Sequence, residues 1–118
     1  MLNFLFGSAL KVRPFQKTVD LEAKLRGVNG YTGYGEVEFS AWQNGSKSLE
    51  VELRGVAGTR ADIYLHGAKV KTVALNNGRA DQVFETTQGD GIPDFTPGAT
   101  VEIWQNGQLI LSGVMDYD

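Results

Sequence analysis

Apolar and polar residues alternate along this chain in short segments separated by glycine-rich turns. The clearest block covers residues 34–67, which alternate three times, with turn signals at Asn44-Gly45 and at 55–58. An alternation of period two places every second side chain on the same face of a strand, so each segment predicts a strand with one buried face. The block therefore predicts a three-stranded antiparallel meander.

Strand parity determines the expected shape of the first hairpin in this block. Opposed residues must lie on one face of a sheet, and a two-residue turn at Asn44-Gly45 would set Phe39 opposite Glu50. A three-residue loop at 44–46 instead sets Phe39 opposite Val51, so that apolar residues face each other. We therefore predict a three-residue loop or a bulge at this tip. The expected inward residues are Val37, Phe39, Ala41, Leu49, Val51 and Leu53.

The rest of the chain continues this pattern. Further strands are predicted at 19–26, 60–67, 69–75, 79–86, 99–105 and 108–114, with turns that include Gly67-Ala68 and Asn106-Gly107. No stretch of ten or more residues combines a helical period with capping residues. About eight short strands predict an all-β fold: an antiparallel β-sandwich or small barrel with hairpin and meander connections, forming one domain over residues 16–118.

Residues 1–15 form a separate apolar N-terminal arm. Its start lacks a basic residue and its apolar run is broken by Gly7 and Ser8, so it is not typical of a complete signal peptide. Such an arm either folds back onto the core of its own chain or exposes an apolar patch that binds a second copy. The residues expected to contact a partner here are Leu2, Phe4, Leu5 and Phe6.

Composition excludes several classes of function. The chain of 118 residues has a formal net charge of −3 and no run of Lys or Arg, which disfavours nucleic-acid binding. No apolar run approaches the roughly 20 residues that span a bilayer. The absence of cysteine excludes disulfides, thiolate zinc sites and thiol nucleophiles. With a single histidine and no G-x-S-x-G motif, we predict that the protein is not an enzyme and needs no cofactor.

Two weak chemical motifs lie on the later strands and loops. His66 shares the outward face of its predicted strand with Asp62, but two strand steps place their side chains about 6.6–7 Å apart, too far for a direct hydrogen bond. The string Gly-Asp-Gly-Ile-Pro-Asp resembles the calcium loops of thrombospondin type 3 repeats, which implies Asp90 and Asp94 as metal ligands. Two further aspartates of that pattern are Thr86 and Gln88 here, so an ordinary turn is the alternative.

The string Trp-Gln-Asn-Gly occurs twice, from Trp42 and from Trp104, each time at a predicted hairpin tip. Exposed aromatic residues on a sheet stack on sugar rings or anchor a protein partner, and they can equally cover a sheet edge. The first half of the chain also has outward carboxylates. These are Glu36, Glu38, Glu50 and Glu52, which form either a solvated face or a pair of the glycosidase kind.

The 34–67 block resembles the CHRD family, the repeat of chordin and of many bacterial proteins. The matching strings are GEVEF at 35–39, LEVEL at 49–53, GVAG at 55–58 and IYLHG at 63–67, with LSG at 111–113 near the end. The resemblance implies a β-sandwich module, usually exported or at the cell surface, without established catalysis; without it a cytoplasmic location is equally open. The second histidine of the family is Tyr64 here, which weighs against a metal role.

These observations favour a non-catalytic interaction module that associates with itself as a homo-oligomer through the N-terminal arm. The alternative is a carbohydrate- or calcium-binding module that uses the exposed aromatics, Trp42 and Trp104, or the loop at 88–94.

Overall fold

A computed structural model describes residues 15–118, so the predictions for Leu2, Phe4, Leu5 and Phe6 lie outside the described residues. This part of the chain contains one 3₁₀ turn, Thr86–Gln88, and no helix long and apolar enough to cross a membrane. All strand pairs are antiparallel, which confirms the predicted all-β class. The strands are β1 Lys17–Gly27, β2 Tyr34–Trp42, β3 Lys47–Arg54, β4 Arg60–Leu65, β5 Ala68–Ala74, β6 Arg79–Glu85, β7 Thr100–Gln105, β8 Gln108–Val114 and β9 Asp116–Tyr117.

One sheet with the order β5-β4-β7-β8-β1-β2-β3-β6 bends into a nearly closed barrel, and β9 pairs with β1. We call β1, β2, β3 and β6 half-sheet I, and β4, β5, β7 and β8 half-sheet II. The two halves are joined where Arg26 and Gly27 of β1 pair with β8. At the opposite side the edge strands β5 and β6 approach each other, and the Lys71 ammonium lies 5.1 Å from the centre of the Phe84 ring.

The core fills the space between the two halves. Register places Leu21, Phe39 and Leu49 in one row across β1, β2 and β3, and all three are at most 1% exposed. Ile63 and Ile103 form the matching row of half-sheet II. Burying one such side chain contributes roughly 1.5–3 kcal/mol, so these rows dominate stability.

The first hairpin has a three-residue loop, but the predicted position 44–46 is wrong by one residue. The Trp42 amide donates to the Ser46 carbonyl, so the loop is 43–45 and Phe39 lies opposite Leu49 rather than Val51. Gly45 adopts φ 87°, and the Asn44 side chain accepts a hydrogen bond from the Ser46 amide. Glycine at a positive φ allows the chain to turn one residue earlier.

The turn after β4 also differs from the predicted Gly67-Ala68. Leu65 pairs with Ala68, so the turn residues are His66 at φ 50° and Gly67 at φ 79°. Two successive positive φ values define the tight hairpin turn whose twist matches that of the flanking strands. The spacing from Asp62 had predicted His66 on the outward face of the strand. The structure instead places it in an exposed turn.

Candidate functional site

Two aromatic rings meet on the outer face of half-sheet II. Tyr64 of β4 lies opposite Glu102 of β7, and Trp104 lies opposite Asp62. The Tyr64 and Trp104 ring centroids are 5.8 Å apart and their planes meet at 52°. This tilted contact is a favourable geometry for an aromatic pair. We call Tyr64, Trp104 and Glu102 the aromatic platform.

Both ring-bearing residues of the aromatic platform lie beside a β-bulge of the neighbouring strand. The β4–β5 ladder shifts register between Ile63 and Tyr64, and the β7–β8 ladder shifts between Ile103 and Trp104. A bulge bends its strand and changes the direction of the side chain next to it, and bulges are frequent beside functional sites. The extra residue is Val70 of β5 in the first ladder and Ile110 of β8 in the second, whereas the β4–β7 ladder that brings Tyr64 and Trp104 together keeps a regular register.

The carboxylate of the aromatic platform is held in one orientation. The Trp104 indole Nε1–H donates to Glu102 Oε1 at 3.0 Å, while Glu102 Oε2 has no hydrogen-bond donor among residues 15–118. Indole N–H groups near the interior generally need a partner, so the contact fixes both side chains. It leaves one carboxylate oxygen able to accept a hydrogen bond from a ligand.

An open groove of about 290 Å³ follows the aromatic platform. Gly67 and Gly107 also line it, and a Cβ at either glycine would meet no described atom within 4 Å. No side chain therefore obstructs the groove at those two positions. The volume is close to the lower end of the range for small-molecule sites, roughly 300–1,000 Å³.

A polar group lies beside the platform. Asp62 accepts a hydrogen bond from the Thr72 hydroxyl at 2.6 Å and pairs with the Lys69 ammonium at 3.3 Å. The Thr72 hydrogen bond, with help from Lys69, keeps the pKa of Asp62 below its ordinary value. Asp62 is therefore ionised at neutral pH, and its charge is matched by Lys69.

The outer face of half-sheet I is acidic. Its register aligns Glu22, Glu38 and Glu50 in one row across three strands, and the fourth member of the row is Val83. Like charges directly opposed in a ladder are destabilising. The next row aligns Lys24, Glu36, Glu52 and Asp81, and the β2, β3 and β6 members of both rows line a concavity of about 210 Å³. We call these two rows the acidic face.

Cationic side chains balance the negative charge of the second row better than that of the first. The Arg54 guanidinium contacts Glu52 at 3.1 Å and Asp81 at 2.9 Å, and Lys24 lies opposite Glu36. The first row contains no cationic residue. Binding of protons or of an external cation would reduce the repulsion among these carboxylates.

Bound protons reduce the repulsion between carboxylates of the acidic face near neutral pH. A hydrogen bond to the Glu22 carboxyl, together with burial, raises the pKa of Glu36 to about 7. Burial, and then a hydrogen bond to Glu50, raises the pKa of Glu38 to about 7. Sharing a proton with a neighbouring carboxyl favours the neutral form and is the main cause of the raised pKa of Glu36, whereas burial is the main cause for Glu38.

The C-terminal strand adds one carboxylate to this face. One oxygen each of Glu22, Glu38 and Asp118 lies within 4.8 Å of the others. The Asp118 amide donates to the Asp20 carbonyl, which holds the C-terminal residue against β1. Three oxygens are fewer than the six to eight that Ca²⁺ takes, so water would have to complete such a site.

The structure separates the two predicted tryptophans. Trp42 ends β2 in half-sheet I, where the Lys17 ammonium lies 5.6 Å from its ring centre, and Trp104 lies on β7 in half-sheet II. Both are half-buried rather than freely exposed. The neighbour of Trp104 in the aromatic platform is instead Tyr64, which the sequence placed on the outward face without a ligand role.

The predicted metal ligands of the 88–94 loop both have partners in the protein. Asp90 Oδ2 accepts a hydrogen bond from the Glu85 amide at 2.9 Å, and Asp94 pairs with the Lys47 ammonium at 2.9 Å. Lys47 also donates to the Ile92 carbonyl, so it ties the loop to β3. Calcium binding at Asp90 and Asp94 stays a prediction, and it would require Lys47 to move away from Asp94.

Sequence reasoning missed Glu102 and the pairing of Tyr64 with Trp104. The outward positions of both aromatic residues follow from strand parity, but their contact depends on how β4 pairs with β7, which are 34 residues apart or more. No protein-family model matches the chain, and no curated protein matches it in sequence. The CHRD resemblance therefore stays a prediction that rests on the strings at 35–67.

Proposed function

We propose that this protein is a non-catalytic binding module whose aromatic platform takes a saccharide. The observation that carries the proposal is the contact of the Tyr64 and Trp104 rings, with Glu102 beside them, along one open groove. Aromatic faces accommodate the apolar C–H surface of a sugar ring, and a carboxylate accepts hydrogen bonds from its hydroxyl groups. Glu102 supplies that carboxylate within the same groove.

Preorganisation strengthens the proposal. The ring contact between Tyr64 and Trp104 and the hydrogen bond from Trp104 to Glu102 restrict all three side chains before a ligand arrives. Ordering a flexible side chain on binding costs roughly 0.5–1.5 kcal/mol, so restriction in the free protein favours affinity. The 88–94 loop differs because its one nearby aromatic residue, Phe95, is buried and the charge of Asp94 is balanced by Lys47.

Calorimetric titration with neutral oligosaccharides tests this function. We expect binding by the full chain, and Trp104→Ala is expected to weaken it by tenfold or more, since losing a central aromatic anchor costs about 2 kcal/mol. Trp42→Ala removes the same ring from half-sheet I and is the matched control, which should bind as the unaltered chain does. Thermal unfolding of each variant checks that it is folded. Absence of binding to every oligosaccharide, or equal binding by Trp104→Ala, would overturn the proposal.

Self-association is a second candidate, and the sheet edges favour it. The facing edges of β5 and β6 approach each other but form no ladder among residues 15–118, and Val83 on β6 is 53% exposed. Unpaired edges are templates for pairing with another chain. Light scattering during size exclusion should then give a homo-oligomer that Phe6→Asp in the N-terminal arm converts to a monomer. A monomeric unaltered chain would exclude this candidate.

A further inference from the structure

The charge of the aromatic platform suggests which saccharides it would prefer. Three charged residues surround the rings: Glu102, Asp62 and Lys69. Asp62 and Lys69 are 3.3 Å apart and neutralise each other. Glu102 forms no ion pair within residues 15–118, so one negative charge at the groove is uncompensated there.

The position of that charge matters as much as its sign. Glu102 Oε1 is engaged by the Trp104 indole, and its second oxygen is available in the groove that the two rings line. A sugar resting on the rings would place its ring substituents next to this oxygen. A hydrogen bond to an ionised acceptor is roughly twice as strong as one between neutral groups, and a protonated amino group as donor adds the attraction of opposite charges.

We infer that the aromatic platform selects a saccharide that carries a protonated amino group, with Glu102 as the residue that determines this preference. The inference rests on the proposed saccharide function and adds the class of ligand. A uronic acid would instead bring a second carboxylate next to Glu102, and such unfavourable contacts are a common source of specificity. The net charge of −3 and the acidic face on the other half-sheet disfavour the approach of polyanions further.

A matched pair of ligands tests this preference. Chito-oligosaccharides of one length, with either free or acetylated amino groups, differ only at the group in question. At a pH where the free amine is protonated, we expect the deacetylated ligand to bind about tenfold more tightly, from the added strength of the charged contact. Oligogalacturonate of similar length should bind weakest of the three.

Two variants with the same loss of charge identify the residue. Glu102→Gln keeps an oxygen for the Trp104 indole, and we expect the ratio of the two affinities to fall to about one. Glu50→Gln removes a carboxylate from the acidic face, and the ratio should stay at about ten. Added NaCl should reduce the preference of the unaltered chain, because salt screens an exposed ion pair.

The outcomes separate the two levels of the proposal. Equal binding of both chito-oligosaccharides, or a preference that persists in Glu102→Gln, would overturn the amino-sugar inference and leave the saccharide function standing. Binding of oligogalacturonate as tightly as the deacetylated ligand would also overturn it. If neither chito-oligosaccharide nor any neutral oligosaccharide binds, both the inference and the proposed function fail.

Discussion

The outer faces of the two half-sheets place their charged side chains in different ways. On half-sheet I, regular ladders align Glu22, Glu38 and Glu50 directly opposite one another. On half-sheet II, Glu102 lies opposite Tyr64 and accepts a hydrogen bond from Trp104. Both faces derive from strands that alternate apolar and polar residues, yet only the first aligns like charges.

The residues that the ladders pair account for this difference. A regular antiparallel ladder repeats its register, so polar residues at every second position of adjacent strands form continuous rows. Half-sheet II interrupts its ladders at Ile63/Tyr64 and at Ile103/Trp104. The β2–β3 ladder has no such shift, and Glu36 and Glu38 face Glu52 and Glu50. The bulged residues of half-sheet II lie on β5 and β8, and its β4–β7 ladder is as regular as β2–β3 but sets Tyr64 rather than a carboxylate opposite Glu102.

The largest expected effect comes from placing two opposed carboxylates on half-sheet II, as they occur on half-sheet I. Tyr64→Glu removes an aromatic anchor and sets a carboxylate opposite Glu102, so we expect saccharide binding to fall by at least 30-fold, about 2 kcal/mol. At pH 8 the opposed carboxylates should also lower the free energy of unfolding. Titration calorimetry and urea unfolding measure the two effects. Tyr64→Phe is the control and should retain most of the affinity; unaltered affinity in Tyr64→Glu would contradict the platform.

The second effect is a pH dependence of stability that belongs to the acidic face. The pKa of Glu36 and of Glu38 is raised from 4.5 to about 7 in the folded protein, so the folded state binds more protons than the unfolded state between these values. Stability must therefore fall as pH rises from about 4.5 to about 7. The charged neighbours that face these groups are Glu22 and Lys24 on β1, Glu50 and Glu52 on β3, and Asp118.

Thermal unfolding across this range measures the pH effect. We expect a melting temperature several degrees higher at pH 5 than at pH 8, and a smaller difference in the double variant Glu36→Gln/Glu38→Gln. Asp62 acts in the opposite sense, because its lowered pKa contributes stability that is lost only as pH falls below its ordinary value of 3.8. Its window does not overlap that of the glutamates. A melting temperature that rises from pH 5 to pH 8 would refute the shared-proton account.

The third effect is the change in stability when one carboxylate of the first row loses its charge. Glu38→Gln removes the central charge between Glu22 and Glu50, and each opposed pair is worth roughly 0.2–1 kcal/mol. We expect urea unfolding at pH 8 to show a gain of about 1 kcal/mol. Glu102→Gln removes the same charge from half-sheet II, where the opposed residues are Tyr64 and Ser112, and should give no gain. Equal gains in both variants would mean that net charge, and not register, governs the effect.

The smallest effect is a response to salt. Raising NaCl at pH 8 from about 0.01 M to about 0.15 M shortens the Debye length from about 30 Å to about 8 Å and screens the acidic rows. We expect a stabilisation of a few tenths of a kcal/mol, an effect of the size reported for exposed charges. The gain should shrink in Glu38→Gln. A salt response of the same size in both proteins would place its origin outside the first row.

The repeated Trp-Gln-Asn-Gly string shows where prediction from sequence ends. The first copy forms a three-residue loop, 43–45, and the second a two-residue turn in which Asn106 has φ 51° and Gly107 has φ 76°. Long-range contacts distinguish them: the Gln43 amide donates to the Gln16 carbonyl, whereas the Gln105 side chain donates to the carbonyls of Ala57 and Arg60. Identical local strings therefore form different turns, because each adopts the register that its partner strands impose.

The alternation of residues carries no signal for the short β9, but the antiparallel class, the strands β1 to β8 and the buried faces of β2 and β3 follow from it. That alternation determines them because the pleat assigns each side chain to a face, and the apolar face must leave water. Tertiary structure decided which strands are neighbours and where the ladders slip. Those two choices align the glutamates of half-sheet I and bring Tyr64, Glu102 and Trp104 together, since pairs so distant in sequence depend on the packing of the whole sheet.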